Sequence, residues 1–461
     1  MMSRLLPARR HARSMPLAAT VALLLVAAAP WRVAAQAVEA PAAPPPVAWH
    51  AQATWAWQAK PAFAAPYTGP NSLVPGREKS YSFTTTGDLG VRLWQGAEAH
   101  FNPEAAQGVP LSHLAGAGGL SNGELARTSG ANLSVYRARM FVQQRWATGG
   151  DAETIPADFN ELGGASRTSR WTVRAGAFSL LDYFDNNPYA KDPREQFFNW
   201  SFLTHGAWDY AADARGYSVG AMIEYRTSTW AVRAARMELP RESNGLALDS
   251  HWRQHYGDQL EVESDLPVLL PAGPLRARLL LYRNRAVMGR FDDALALGGT
   301  PDVAWVRRAQ SKTGWGVTLE APLGEEAGLF LRASRNNGQS ETYAFTEIDQ
   351  QLSLGGQFTG AAWGRSKDRW GVAWAANGLS RPHRSYLAAG GQGFFLGDGR
   401  LNYGPEQVLE AYYRWTLPDV VTSAGTLRSA FSLGAQHLVH PGYNRDRGPV
   451  QVYSLRWHSE F

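Results

Sequence analysis

Cysteine is absent from this chain of 461 residues. Exported proteins with small cores are commonly stabilised by disulfides, so an exported chain without them needs another source of stability. A closed β-barrel supplies one, because closure pairs the backbone N–H and C=O groups of all its strands. The lack of cysteine also excludes thiolate zinc sites, cysteine nucleophiles and a lipid attached through an N-terminal cysteine.

Long uninterrupted apolar runs are also missing beyond the N-terminal region. None approaches the roughly 18 residues that suggest a membrane-spanning helix, and the mean hydropathy is -0.31. Near the N-terminus, four arginines precede the apolar run Pro16–Pro30, and the small-x-small sequence at 35–37 offers a cleavage site. Residues 1–37 are therefore predicted to be a secretory signal peptide, and the Ala/Pro-rich residues 38–48 a flexible lead-in.

The chain has no net charge once the predicted signal peptide is removed. The full chain has 45 basic and 40 acidic residues. Residues 1–37 contain five of the arginines and no acid, which leaves 40 residues of each sign in the mature chain. A near-neutral chain lacks the clustered basic footprint of nucleic-acid binding. Nucleic acid is therefore not expected as a partner, and no cofactor is expected.

The chain is rich in segments in which apolar and polar residues alternate. In residues 450–461, alternate positions fall into two sets that would lie on opposite faces of a strand. One set contains Tyr453, Leu455, Trp457 and Phe461, and the other contains Ser454, Arg456, His458 and Glu460. A strand of about 9–11 residues with this pattern crosses a bilayer in a closed β-barrel, where one face meets lipid and the other a wet lumen. The 18 Trp and 17 Tyr residues suit the two membrane–water interfaces.

Segments of this kind recur to the end of the chain. We count about 16 of them, an even number as bacterial single-chain barrels require. Long and short connections alternate between them, as expected for extracellular loops and periplasmic turns. The long ones are 59–80, 103–134, 181–216, 238–255, 284–312, 336–350, 378–406 and 437–449. The connection 147–169 is an exception, because it should lie in the periplasm and is nevertheless long.

These patterns predict an all-β fold. Residues 49–461 should form a single transmembrane antiparallel β-barrel of about 16 strands in the outer membrane of a Gram-negative bacterium. The first strand, His50–Gln58, is expected to pair with the C-terminal strand and close the barrel. A soluble β-sandwich or propeller is the alternative, and it would not produce the alternation of long and short connections.

The third long connection, residues 181–216, is unusually aromatic for a solvated loop. Nine rings need something to pack against: Tyr183, Phe184, Tyr189, Phe197, Phe198, Trp200, Phe202, Trp208 and Tyr210. An outside loop of a wide barrel can fold into the lumen and narrow it, so we predict that this loop is the pore constriction. The alternative is a lid over the barrel or a contact with a neighbouring protomer.

Several stretches of the chain match, in order, the sequences of a known family. They are Tyr67–Leu73, Leu93-Trp94 with Phe101–Glu104, Asp185–Arg194, Phe198–Trp200, Trp208–Gly216, Asn284–Ala286 with Met288-Gly289, and Gly397–Gly404. On these residues the chain resembles the carbohydrate-selective porins of the OprB type. The resemblance implies an outer-membrane barrel of about 16 strands that passes sugars passively, and it leaves the particular sugar open.

The inward faces of the predicted strands supply candidates for the permeation path. They are Arg137, Arg139, Arg145, Arg170, Arg174, Glu261, Glu263, Arg276, Arg278, Arg332, Glu410 and Arg414. Guanidinium groups offer planar pairs of donors, and carboxylates accept, so both suit neighbouring sugar hydroxyls. Part of this set can instead form a structural lattice that braces the lumen wall. The same arginines could also line an anion-selective or general small-solute pore.

The predicted constriction loop supplies a second set of candidates. They are Asp185, Asn186, Asn187, Tyr189, Lys191, Asp192, Arg194, Trp200, Trp208, Asp209, Asp213 and Arg215. The aromatic faces of Trp94, Trp200 and Trp208 could stack on the apolar face of a pyranose ring. The oxygen-rich group Asp182, Asp185 and Asn187 is a weak Ca²⁺ candidate, since it lacks the spacing and the glycine of an EF-hand. No other metal site is expected.

Catalysis is not expected. The loop histidines His205 and His383 are present, but no nucleophile-elbow motif accompanies them. The expected partners are small carbohydrates, outer-membrane lipid with lipopolysaccharide, and the barrel insertion machinery, which would contact the terminal aromatic residue Phe461.

Overall fold

The computed structural model describes residues 46–125, 130–423 and 425–461. The predicted signal peptide, residues 1–37, and most of the predicted lead-in, residues 38–48, lie outside these ranges. The first strand begins at Val47, so the last two residues of the predicted lead-in belong to the barrel.

The alternating segments of the sequence form antiparallel strands. In chain order they are β1 (Val47–Lys60), β2 (Glu78–Trp94), β3 (Ala97–Val109), β4 (Ser134–Ile155), β5 (Gly164–Phe178), β6 (Ser218–Arg226), β7 (Trp230–Met237), β8 (Leu239–Pro240), β9 (Leu248–Asp249), β10 (Tyr256–Leu270), β11 (Gly273–Met288), β12 (Arg308–Pro322), β13 (Ala327–Asn336), β14 (Gln350–Gly360), β15 (Arg365–Gly378), β16 (Glu406–Thr416), β17 (Val420–Thr422), β18 (Gly425–Val439) and β19 (Val450–Glu460). The short strands β8 and β9 pair with each other, and the short strand β17 pairs with β18. The other sixteen strands in the described part of the chain form the barrel wall.

The barrel is closed by its first and last strands. β1 pairs with β2 on one side and with β19 on the other, from Gln52 opposite Glu460 to Ala59 opposite Tyr453. Each wall strand pairs antiparallel with the wall strands before and after it, including β7 with β10 and β16 with β18. The predicted fold, its strand number and its closure by the first and last strands are confirmed.

The outer surface of the wall is apolar, and the inner surface is polar. Large apolar side chains project outward, with exposed fractions of 64% for Leu433 and 46% for Leu89. Inward-facing residues are charged or polar and yet buried, as are Glu410, Arg278 and Arg456. Since successive side chains of a strand point to opposite faces, the alternation in the sequence separates these two surfaces. The packed interior of the protein therefore lies in the lumen.

Helices are short and belong to the connections. The α-helices Phe291–Ala296 and Arg381–Ala388 pack together through Phe291, whose ring stacks on His383 at a centroid distance of 4.3 Å. Among the residues that the structure describes, no helix combines the length and the apolar character needed to cross a bilayer.

Connections at the two ends of the barrel differ in length as predicted. One end, called the long-loop end below, carries 61–77, 110–133, 179–217, 238–255, 289–307, 337–349, 379–405 and 440–449. The other, called the short-turn end, carries 95–96, 156–163, 227–229, 271–272, 323–326, 361–364 and 417–424.

The predicted long connection 147–169 is largely strand. β4 continues to Ile155 and β5 begins at Gly164, so the connection itself is the tip 156–163. The sequence interpretation was wrong here because the pairing is irregular between residues 147 and 152, which breaks the alternation that marks a strand.

The tip 156–163 folds back against the inner wall of the barrel. The backbone N–H of Asn160 donates to the Asp88 carboxylate at 2.8 Å. Arg145 binds the Glu161 carboxylate through two N–H groups. The tip therefore occupies part of the opening at the short-turn end instead of projecting away from the barrel.

Removing the charge of Glu161 should release this tip. In Glu161→Gln, Arg145 loses its bidentate partner, and we expect amide exchange at residues 160–163 to accelerate about tenfold, equal to ~1.4 kcal/mol. Hydrogen exchange of the protein in detergent micelles, followed by mass spectrometry, measures this. Glu325→Gln, an exposed site in another short turn, is the matched control. Unchanged exchange at 160–163 would contradict an electrostatic anchor.

Candidate functional site: the lumen and its third loop

The third long loop, residues 179–217, lies inside the barrel and spans most of its height. Near the short-turn end, the ring of Tyr189 packs against Gly328 at the start of β13. Glu195 pairs with Arg414 close to the end of β16. The loop therefore enters from the long-loop end and reaches the opposite end of the lumen.

The second half of the loop, residues 196–212, is packed against the wall. Phe198, Phe202 and Trp208 have exposed fractions of 1% or less. Phe197 meets Tyr412 of β16 edge-on, with the ring centroids 5.0 Å apart. Apart from half-buried Trp200, these residues are too well covered to contact a permeating solute, so the segment serves as the scaffold of the loop.

Wall side chains bind the backbone of this buried half. The Glu410 carboxylate accepts hydrogen bonds from the N–H groups of Phe198 and Asn199. Gln351 accepts from the N–H of Gly206 at 2.8 Å. A loop without regular structure needs such partners because buried backbone groups must be hydrogen-bonded. Lumen polar groups thus hold the loop in one position.

A buried ion pair between Asp185 and Arg332 holds the centre of the loop. Arg332 Nε lies 2.8 Å from Asp185 Oδ2, and its guanidinium also donates to two loop carbonyls at 2.6 and 2.9 Å. The Thr318 hydroxyl donates to the second carboxylate oxygen at 2.8 Å. Burial alone would raise the pKa of Asp185, but Arg332, His205 and hydroxyl donors lower it to about 2. The anchor therefore stays ionised at neutral pH.

Glycines in the wall leave room for the loop. A Cβ atom at Gly316 would lie 2.5 Å from the ring of His205, and one at Gly328 would lie 2.1 Å from the ring of Tyr189. These distances are far below ordinary contact, so any larger residue at either position would displace the loop.

The first half of the loop contains the accessible segment, residues 186–195. Apart from buried Asn187, its polar and charged members are exposed or half-buried: Asn186, Lys191, Asp192, Arg194 and Glu195. Tyr189 is also half-buried. The segment therefore carries accessible groups of both signs of charge.

The remaining predicted loop residues bind loop backbone, except Arg215. Asp209 is buried and accepts from the N–H of Tyr343 at 2.7 Å and from the next two N–H groups of the loop 337–349. Asn187 is buried and accepts from a turn N–H, and half-buried Asp213 does the same. Arg215 is half-buried and stacks on the ring of Tyr136.

Eight of the lumen arginines predicted from the sequence are paired with carboxylates. A carboxylate oxygen lies within 3.7 Å of each of Arg139, Arg145, Arg170, Arg174, Arg276, Arg278, Arg332 and Arg414. The buried members of the predicted path are Arg170, Arg174, Glu261, Glu263, Arg278, Arg332 and Glu410. The half-buried members are Arg139, Arg145, Arg276 and Arg414. The inward-facing members of the predicted set thus divide into a buried group and a half-buried group.

Two predicted site residues lie on the outer face. A bulge in β4 between residues 137 and 139 reverses the alternation, so the Tyr136 hydroxyl reaches Glu104 inside while Arg137 is exposed on the opposite side. Trp94 is 48% exposed, and its indole N–H donates to outward-facing Gln144 at 2.7 Å. The predictions that Arg137 lines the pore and that Trp94 stacks on a sugar were therefore wrong.

The other two tryptophans predicted to stack on a sugar already contact protein rings. Trp208 is buried beside Phe184 and Tyr210, so its faces are not accessible to a solute. Trp200 is half-buried and stacks on Phe345 at a centroid distance of 5.3 Å and an interplanar angle of 9°. Both act as packing residues of the loop.

The weak Ca²⁺ candidate is also corrected by the geometry. Arg139 donates to both oxygens of Asp182 at 2.9 and 2.7 Å, and Asp185 binds Arg332. Guanidinium groups therefore occupy the positions that a cation would need.

Several lumen residues were missed by the sequence interpretation. They include Glu104, Glu124, Arg233, Glu320, Glu406 and Arg456. Glu406 accepts N–H bonds from Gly118, Gly119 and Gly442, so it joins two long loops. The alternation of β19 already placed Arg456 inward and could have found it. Glu124 lies in a loop, where no periodic signal exists.

A closed barrel with an apolar outer wall and a polar lumen, narrowed by a folded loop, defines a pore of the outer membrane. The family model described as carbohydrate-selective porin, OprB family, matches residues 81–461. The high-pH structure of OprB from Pseudomonas putida has a TM-score of 0.62 and 16% identity, over 90% of this chain and 94% of that chain. OmpT of Vibrio cholerae has a TM-score of 0.43 and 10% identity, over 90% of this chain and 97% of that one. No curated protein matches the chain.

The chain belongs to the carbohydrate-selective porin family, OprB. It is accordingly a sugar-selective porin of the Gram-negative outer membrane, and the long-loop end faces outside while the short-turn end faces the periplasm.

The buried histidine beside the anchor predicts a pH dependence of loop order. Burial, with Arg332 and Arg278, lowers the pKa of His205 to about 4 despite nearby Asp185, whereas the unfolded value is about 6.5. Between these two pH values the unfolded loop binds more protons than the folded loop. The free energy that favours the folded loop is therefore fully present above pH ~6.5 and falls as the pH decreases towards ~4.

We expect amide exchange of residues 196–212, corrected for its intrinsic rate, to accelerate by up to about tenfold per pH unit between pH 6.5 and 4. His205→Gln should flatten this dependence, because it removes the titrating group. His251→Gln, at a side chain that is 72% exposed, is the control and should leave the dependence unchanged. An identical pH profile in His205→Gln would show that another group controls the loop.

Proposed function

We propose that small carbohydrates cross this porin by passive diffusion along the open side of the lumen. The path runs between the accessible loop segment 186–195 and the wall. Its donors are Arg139, Arg145, Lys191, Arg194, Arg276 and Arg414, and its acceptors include Asp192 and Glu195. Sugars present adjacent hydroxyls, which a row of guanidinium and carboxylate groups can bind in succession.

Pairing of the accessible arginines with carboxylates is the observation that carries this proposal. Arg276 lies 2.8 Å from Asp265, and Arg139 lies 2.7 Å from Asp182. Such pairs keep the local net charge low while leaving N–H groups and lone pairs for hydroxyls. An anion-selective or general pore that uses the same arginines is the alternative, but charge neutralised by neighbouring acids attracts anions weakly.

The third loop is proposed as the constriction. Its buried half is fixed to Glu410, Gln351 and Arg332 of the wall, and this supports a fixed position for the accessible segment. A lid or a contact with another protomer is less well supported, because the loop packs on residues that face the lumen.

Planar-bilayer recording of the purified porin distinguishes the two functions. We expect weak ion selectivity and a current that mono- or disaccharides reduce, because a sugar bound in the path excludes ions. Strong anion selectivity with no block by sugars would overturn the sugar path. A liposome-swelling series of glucose, disaccharides and neutral non-sugars then gives the size limit.

Shortening accessible side chains of the loop should widen the path without removing its anchors. Lys191 Nζ donates to Asn186 Oδ1, and both side chains are exposed. In the double variant Asn186→Ala/Lys191→Ala, we expect single-channel conductance to rise roughly 1.5-fold and size discrimination between sugars to weaken. Deletion of Asp185–Trp200 should have a larger effect, but it also removes the Asp185 anchor.

Lys367→Ala is the control for this variant, because Lys367 is exposed at the short-turn end and binds Asp419. Its conductance should equal that of the parent. Unchanged conductance in the double variant and in the deletion would mean that this loop does not form the constriction.

Contacts with lipid and with the insertion machinery are proposed for the outer wall. Exposed tryptophans at the short-turn end are Trp49, Trp94, Trp230, Trp363 and Trp415, and such rings favour the membrane–water interface. Phe461 stacks on Trp49 with the ring centroids 4.7 Å apart, and its N–H donates to the Ala51 carbonyl at 2.8 Å. This placement supports contact of the terminal residue with the insertion machinery and of the belt with lipid and lipopolysaccharide.

A further inference from the structure

The accessible loop segment ends beside the strand that closes the barrel. Glu195 of the loop meets His458 and Glu460 of β19, and one potential ligand atom from each lies within 4.8 Å of the others. His458 Nε2 is 4.0 Å from Glu460 Oε2. The histidine is buried, whereas the side chains of the two glutamates are each 37% exposed. The imidazole is therefore held in place by its surroundings, and an ion in the lumen can reach the two carboxylates.

A chain of hydrogen bonds determines which nitrogen of His458 carries the proton. It begins at the Glu104 carboxylate, which accepts from Thr86 Oγ1 at 2.7 Å. The Thr86 hydroxyl then accepts from Gln52 Nε2 at 2.7 Å. With its amide so oriented, Gln52 uses Oε1 to accept from the Thr54 hydroxyl at 3.1 Å.

The Thr54 hydroxyl has given its proton to Gln52 and must therefore accept at its other contact, 2.8 Å from His458 Nδ1. His458 consequently carries its proton on Nδ1. In the neutral imidazole, Nε2 then presents its lone pair towards the glutamates, with Glu460 Oε2 at 4.0 Å. An imidazole oriented through its second nitrogen in this way is the arrangement found in metal-binding histidines.

We propose that Glu195, His458 and Glu460 bind a divalent cation of the zinc type. Imidazole nitrogen and carboxylate oxygen are ligands that Zn²⁺ accepts in a four-coordinate site, with water completing the shell. A harder cation such as Ca²⁺ requires six to eight oxygen ligands, which this group does not offer. The two exposed glutamates can close on the cation by side-chain rotation, because β19 and the loop already hold them near His458.

The neighbouring arginines leave room for this cation. Arg414 binds Glu195 through Oε1 and Arg428 approaches Glu460 through Oε1, so each carboxylate keeps a second oxygen. These second oxygens are the ones that a bound cation would contact.

Such a site would connect the loop to the seam of the barrel. Glu195 belongs to the loop, and His458 and Glu460 belong to the strand that pairs with β1. A cation bound between them would hold the accessible segment against β19. If this loop forms the constriction, as proposed above, Zn²⁺ should lower the conductance of the parent and leave that of His458→Gln unchanged. Only this effect on conductance rests on the proposed constriction.

Isothermal titration of the full-length porin in detergent with Zn²⁺ tests the site without any sugar. We expect one Zn²⁺ per barrel, with an affinity that falls at least tenfold in His458→Gln. His437→Gln is the matched control, since His437 contacts Gln451 elsewhere on the wall, and its affinity should equal that of the parent. Equal Zn²⁺ binding by His458→Gln and the parent, or no binding by the parent, would overturn the proposal.

Thr54→Val separates metal binding from a merely structural role of His458. This variant keeps all three ligands and removes the acceptor for the Nδ1 proton, so Zn²⁺ affinity should fall about 10- to 100-fold. Circular dichroism should show the parent's β-sheet content for both variants. An unchanged affinity in folded Thr54→Val would contradict the proposed orientation of the imidazole.

Discussion

Closure of the strand ladder between β1 and β19 is the constraint on which the rest of this structure depends. A strand edge exposed to lipid has no water to satisfy its backbone groups, so the wall must form a ring. The number of strands sets the width of that ring, and sixteen strands enclose a space too wide for wall side chains to fill. The lumen must therefore be narrowed by another part of the chain.

That need explains the composition of the third loop and of the wall that faces it. A loop packed in a polar lumen excludes water, so its backbone and the charges that it covers must be paired internally. The Asp185–Arg332 pair and the N–H bonds to Glu410 and Gln351 meet this requirement. The same kinds of residue are half-buried where the loop does not cover them, as Arg139 and Arg276 are. The loop therefore determines which polar groups of the wall stay accessible.

Strand number, loop lengths and barrel closure could be predicted because alternation with a period of two is a local property of the sequence. Failures occurred where that period is interrupted. The bulge near residue 138 moved Arg137 outward, and irregular pairing after Ala147 concealed the ends of β4 and β5. Arg332 and Glu410 were correctly assigned to the inner face, but the pattern of a strand says nothing about what covers it.

The sequence by itself determined the fold class, the end of the barrel at which each loop lies and the family, because periodicity and motifs are properties of short segments. The tertiary structure alone decided which inward residues are open, because covering them requires contacts between distant parts of the chain, such as Asn199 with Glu410. It also decided the orientation of the His458 imidazole, since the tautomer of the neutral ring depends on hydrogen bonds that run from β19 through β1 and β2 to β3. The environment of a charge or a proton depends on residues that are close in space, and these residues come together only when the barrel closes.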